Sequence, residues 1–115
     1  MSRSVADSKA VASAKLYLEM RRYYIREQNW SRSRQRIDIV AEKDDIIYLV
    51  DVNYQSDSSQ SDNHIQVLSA TKIQQRQLAT ESWVHENKWT GKYMLASIEI
   101  GDPNFTVISF ADTLP

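Results

Sequence analysis

Apolar and polar residues alternate most clearly between Arg36 and Gln55, where the chain reads RIDIVAEKDDIIYLVDVNYQ. Ile37, Ile39 and Ala41 interleave with Asp38, Val40 and Glu42, so period-two geometry places Asp38 on the same face as Val40. Past Asp44 and Asp45, a second strand sends Ile47, Leu49, Asp51, Asn53 and Gln55 one way and Ile46, Tyr48, Val50, Val52 and Tyr54 the other. Both faces are apolar near the middle, as in a central strand covered by helices on both sides. A turn of two residues (Asp44 and Asp45) or four (Lys43 to Ile46) pairs Asp38 directly with Asp51; a three-residue loop does not. Like charges in opposed positions are destabilising. A bound cation, a retained proton or a different register would each resolve the conflict. Asp-Asp is a weak hairpin signal, because two-residue turns favour glycine or asparagine.

Around this hairpin the spacing changes. Ser4 to Arg22 carries Val11, Ala14 and Leu18 at helical intervals, with Ser4 and Asp7 as a capping pair and Arg21 and Arg22 at the negative end of the dipole. The helix is expected to pack through its small residues. The aromatic-rich stretch Tyr23 to Trp30 predicts an outer strand. SRSRQR follows as a basic loop with Arg32, Arg34 and Arg36 at every second position, suited to gripping phosphate or to covering nearby carboxylates. The tract from Gln55 to Asn63, QSDSSQSDN, has no apolar anchor and reads as a loop. A less tidy helix spans about Ile65 to Asn87, with Ile73, Leu78, Ala79, Trp83 and Val84 as core candidates and Lys72 and Arg76 on a shared face. Gly91 is the expected helix breaker. Two strands, Tyr93 to Ile100 and Phe105 to Ala111, flank the turn formed by Gly101, Asp102, Pro103 and Asn104. The resulting order, αβββαββ, predicts one α/β domain over residues 1–115, with a mixed sheet of about five strands between helices.

Composition narrows the chemistry. The chain has 115 residues, 42% hydrophobic and 25% charged, as expected of an ordinary globular domain. A net charge of −1 provides no global pull on nucleic acid, so any such binding must come from a local patch. Cysteine is absent, which removes disulfides, thiolate metal sites and cysteine nucleophiles. The two histidines, His64 and His85, have no partner at zinc-site spacing, and two glycines cannot build a phosphate-binding loop. No apolar run reaches the ~20 residues of a membrane span, and no secretory signal opens the chain, so a cytoplasmic location is expected.

Three segments together, AKLYLEMRRYYIREQNW, RIDIVAEKDDIIYLVDVNYQ and ATKIQQRQLATESWV, resemble the YraN-like family of predicted endonucleases. That family belongs to the restriction-endonuclease-like PD-(D/E)XK fold, and the likeness spans roughly residues 10 to 88. It implies a three-layer fold, a Mg²⁺ ion held by Asp38 and Asp51, and DNA or RNA as partner. Five positions depart from the family pattern. Val11 stands where the family helix carries glutamate. Gln35 and Arg36 replace the Gly-Glu that precedes Ile37 and Asp38. In the family's Val-Glu-Val-Lys segment, aligned with Val50 to Asn53, Asp51 keeps a carboxylate on a shorter arm and Asn53 replaces the lysine.

Cutting a phosphodiester by this route needs carboxylates to hold the metal and a cation to stabilise charge. Asp38 and Asp51 remain as hard oxygen ligands. Asn53, with Gln55 or Gln66, can orient water but brings no charge. A single electrostatic stabiliser is worth about 10²–10³ in rate, so its loss impairs catalysis severely. The resemblance therefore implies a nuclease-like nucleic-acid-binding domain with impaired or lost catalysis, touching a phosphate backbone through Arg32, Arg34, Arg36, Lys72 and Arg76. An active Mg²⁺-dependent endonuclease with Asp38, Asp51 and Asn53 as its catalytic set is the alternative. A protein-interaction or structural domain is the third.

Overall fold

The computed structural model describes residues 5–32, 35–55, 70–101 and 105–113. In chain order these form α1 (Val5–Met20), β1 (Tyr24–Arg32), β2 (Gln35–Lys43), β3 (Ile46–Gln55), α2 (Ala70–Glu86), β4 (Lys92–Gly101) and β5 (Thr106–Thr113). This is the α/β order that the sequence predicts. The five strands make one sheet in the order β1-β2-β3-β4-β5. Every pair is antiparallel except β3 and β4, which run parallel because α2 carries the chain between them.

β3 is the central strand, and a helix covers each face of the sheet. Ala10, Val11, Ala14 and Leu18 of α1 are buried with Ile39, Ala41, Tyr48, Val50, Ala96, Ile98 and Ile100. The small residues of α1 let its backbone lie close to the sheet. On the other face, Ala79 and Trp83 of α2 pack with Trp30, Ile37, Val40, Ile47, Leu49 and Leu95. Trp83 is fully buried, and its indole N–H donates to Glu27 Oε1 at 2.6 Å. Truncating such a side chain to alanine costs about 3–5 kcal/mol.

The β2–β3 connection is the two-residue turn. Lys43 pairs with Ile46, and Asp44 and Asp45 take φ of 54° and 65°. Positive φ at both central positions is the backbone of a type I′ hairpin, here without the usual glycine. The ladder runs from this turn to Ile39 opposite Val50. Continued by one residue, it sets Asp38 against Asp51.

Each helix ends in a Schellman motif on a non-glycine residue. Arg22 N–H donates to Glu19 O and Tyr23 N–H to Leu18 O, with Arg22 at φ 70°. Lys88 N–H donates to His85 O and Trp89 N–H to Val84 O, with Lys88 at φ 53°. The carbonyls left over at each helix end are thereby satisfied. Lys88, not Gly91, is thus where α2 stops.

Three further expectations change. Arg32 and Arg36, read as parts of a loop, belong to strands: Arg32 closes β1 opposite Gln35, the first residue of β2, and Arg36 follows it. Ile37 joins the α2-side cluster with Val40 and not the α1 side with Ile39, so strict alternation fails on either side of Asp38. The neighbouring strand is also irregular there: Asn29 has φ 52° between the pairs Gln28–Ile39 and Trp30–Ile37. Ile73 and Leu78 are 41% and 47% exposed. The stripe of α2 that faces the sheet instead runs through Arg76, Ala79, Thr80 and Trp83, at intervals of three and four residues. Ser4 and the side chain of Asp7, the proposed capping pair, and all of the polar tract after Gln55 lie outside the described residues, as do residues 102–104 of the last turn.

Candidate functional site

On the α2 face, β3 and β4 change character along their length. Leu49 lies beside Leu95, but the next pair on that face is Asp51 beside Ser97, and the next Asn53 beside Glu99. Hydrophobic contact with α2 thus gives way to polar side chains toward the carboxyl ends of two parallel strands, where open α/β sheets commonly place ligands.

Asp38 arrives from β2. It is only 1% exposed, and its Oδ2 accepts the Val52 N–H at 2.7 Å. Its Oδ1 lies 3.6 Å from Nε of Arg36, whose side chain is 60% exposed. Spending a side-chain acceptor on a strand amide fits the broken alternation: Asp38 turns toward β3 instead of standing squarely off the sheet. The Asp38 and Asp51 side chains meet there and hydrogen-bond.

Burial raises the Asp51 carboxyl from its ordinary value of 3.8 to about 6, and the charge of Asp38 adds to the shift. The guanidinium of Arg76 opposes it, the hydrogen bond to Asp38 reinforces it, and Arg36 opposes it more weakly. In its protonated form Asp51 donates to the Asp38 carboxylate, the arrangement expected of two acids sharing a site. Of the ways to resolve the opposed charges, the retained proton is therefore available to the protein alone.

Arg76 reaches this point from α2. Its Nη2 donates to Ala96 O at 2.8 Å and its Nη1 to Ser97 Oγ at 3.3 Å. Thr80 Oγ1 in turn donates to the backbone carbonyl of Arg76 at 2.8 Å, which satisfies a buried hydroxyl within the helix. A small pocket opens between Arg36, Asp51, Arg76 and Thr80.

The remaining candidates are placed as follows. Asn53 is half-buried, on the same strand face as Asp51. Arg32 is exposed but paired with Glu86, at 2.7 Å, and its guanidinium lies 5.9 Å from the Trp30 ring. Arg34 lies outside the described residues, as do Gln66, His64 and the side chains of Lys72 and Gln55. Val11, where the resemblance puts a glutamate, is buried in the α1 core on the opposite face.

Sequence reasoning missed Ser97, Glu99 and Thr80. Alternation along LASIEIG gave a signal for the first two, since Ser97 and Glu99 occupy the face of Leu95.

As a metal site, the donor set is partial. Asp38 and Asp51 are hard oxygen donors in mutual contact, suited to Mg²⁺ with water completing its shell. Among the described residues no group of three His, Cys, Asp or Glu side chains is placed to hold a metal ion. Also among them, no helix is long and apolar enough to cross a membrane.

Compared with known proteins, residues 12–110 match the model of a family described as "Uncharacterised protein family UPF0102". Asp38, Asp51, Asn53 and Arg76 all fall within that span. No curated protein matches the chain.

Proposed function

We propose that this chain, which belongs to the uncharacterised protein family UPF0102, the YraN-like family, is a nuclease-like nucleic-acid-binding domain in which cutting is impaired or lost. The observation that carries this reading is the meeting of Asp38 and Asp51 beside Arg36 and Arg76. Two acids held together, Asp38 buried and Asp51 lining a small pocket, cost the fold stability, so their placement points to a ligand that offsets the cost. With a net charge of −1, the domain relies on that local pairing of acids and arginines to meet a polyanion.

Asp38 and Asp51 would hold a Mg²⁺ ion, which when bound supplies Lewis-acid stabilisation of a phosphoryl oxygen. The protein's own residues do the rest. Arg36 and Arg76 attract the phosphate backbone, and Asn53 positions water without adding charge. Asn53 and Val11 stand where the family pattern has the lysine and helix glutamate, and Val11 faces away from the site. Binding is therefore retained more readily than cleavage. One observation favours the alternative, an active Mg²⁺-dependent endonuclease: the carboxylate pair itself is intact.

Fluorescence anisotropy with labelled single-stranded and duplex DNA and RNA, at low salt with and without Mg²⁺, tests the reading alongside a gel assay of the same substrates. The reading expects binding that weakens steeply as salt rises, with substrates left intact. Mg²⁺-dependent cutting that disappears in Asp38→Asn would establish the endonuclease alternative. No binding at low salt, with or without Mg²⁺, would overturn the nucleic-acid reading and favour a protein partner.

A further inference from the structure

We infer that Arg76, carried by α2, is the phosphate-binding cation of the Asp38–Asp51 site. The inference deepens the function proposed above and rests on it.

Arg76 is not an ordinary exposed arginine of a helix surface. It sits in the stripe of α2 that faces the sheet, one turn before the buried Ala79 and Thr80. Two hydrogen bonds to β4, to Ala96 O and Ser97 Oγ, fix its guanidinium beside Asp51. Those bonds use one N–H on each terminal nitrogen. A guanidinium has five N–H donors in a planar fork, so others remain for an incoming oxyanion. Arg76 also lines the pocket that contains Asp51 and Arg36.

The arrangement makes the arginine serve two anions in turn. Without a ligand, its charge acts on Asp51. A divalent cation on the two carboxylates takes over that neutralisation and leaves the guanidinium facing a phosphate oxygen. Arg76 therefore opposes the bare cation and favours the phosphodiester, so its removal must move the two affinities in opposite directions. A purely structural arginine would move both the same way, or neither.

The test uses the full chain and three variants, Arg76→Gln, Arg76→Lys and Ser97→Ala, with thermal melts to confirm that each folds. Mn²⁺ affinity is read by water-proton relaxation and single-stranded DNA affinity by anisotropy in Mg²⁺. Arg76→Gln is expected to bind Mn²⁺ several-fold more tightly and DNA about 10-fold more weakly, with the salt slope reduced by about 1. Arg76→Lys keeps the charge but not the fork and recovers part of the DNA affinity. Ser97→Ala loosens the guanidinium and weakens DNA binding by a smaller factor. If wild type binds both ligands and Arg76→Gln leaves both affinities unchanged, or lowers both, the inference fails while the proposed function stands. If wild type binds neither ligand, both fall together.

Discussion

Replacing Asp51 by asparagine should stabilise the protein, and by an amount that depends on pH. The carboxyl of Asp51 is pushed from 3.8 to about 6, first by burial and then by the charge of Asp38. Its proton is therefore held more tightly in the folded chain than in the unfolded one. The contribution to stability is fully present below about pH 4 and is lost as pH rises through about 6. A shift of roughly two pH units corresponds to about 3 kcal/mol. Asparagine has nearly the shape of the protonated acid and can donate to Asp38 through its amide, without ever ionising. Wild type and Asp51→Asn should thus be equally stable near pH 4, with the variant ahead by about 3 kcal/mol at pH 7.5. For a chain of this length that is roughly 10 °C in Tm. Urea titrations of both proteins between pH 4 and 7.5 measure the difference directly. A gap that stays constant with pH would refute the reasoning, as would a wild type more stable than the variant at pH 7.5.

Two further substitutions test other parts of the account. Asp38→Ala removes the acceptor of the Val52 N–H and should cost about 1–3 kcal/mol at pH 4, where Asp51 is neutral and no charge repulsion is relieved. Urea melts read this, with Asp38→Asn keeping most of the stability because its amide oxygen still accepts. Lys88→Gly should stabilise by up to about 1 kcal/mol, since Lys88 holds φ 53° in the Schellman motif that ends α2. Thermal melts read that change, and a loss of stability there would argue against the left-handed assignment.

Much of the architecture was legible in the alternation of apolar residues. The faces of Ile46 to Tyr54 follow from period two, and so does the opposition of Asp38 and Asp51 once the turn is Asp44–Asp45. The local failures have local causes. Ile37 leaves its expected face at the point where Asp38 spends an oxygen on Val52 N–H, and no count of hydrophobic residues reveals such a bond. On α2, hydrophobicity selected Ile73 and Leu78, yet the sheet-facing stripe carries Arg76 and Thr80, because there the sheet offers polar groups to a helix. Arg76 could be picked out as a cation on a helix face. Its seat beside Asp51 depends on the parallel pairing of β3 with β4, which brings Ser97 next to Asp51 and is a property of topology alone.

The most direct test of the central claim is carboxyl ¹³C NMR of Asp38 and Asp51 during a Mg²⁺ titration at pH 7. Both resonances should move along one shared saturation curve, as two carboxylates of a single cation site. Carboxyl signals that stay unmoved at millimolar Mg²⁺, or that follow unrelated curves, would contradict it.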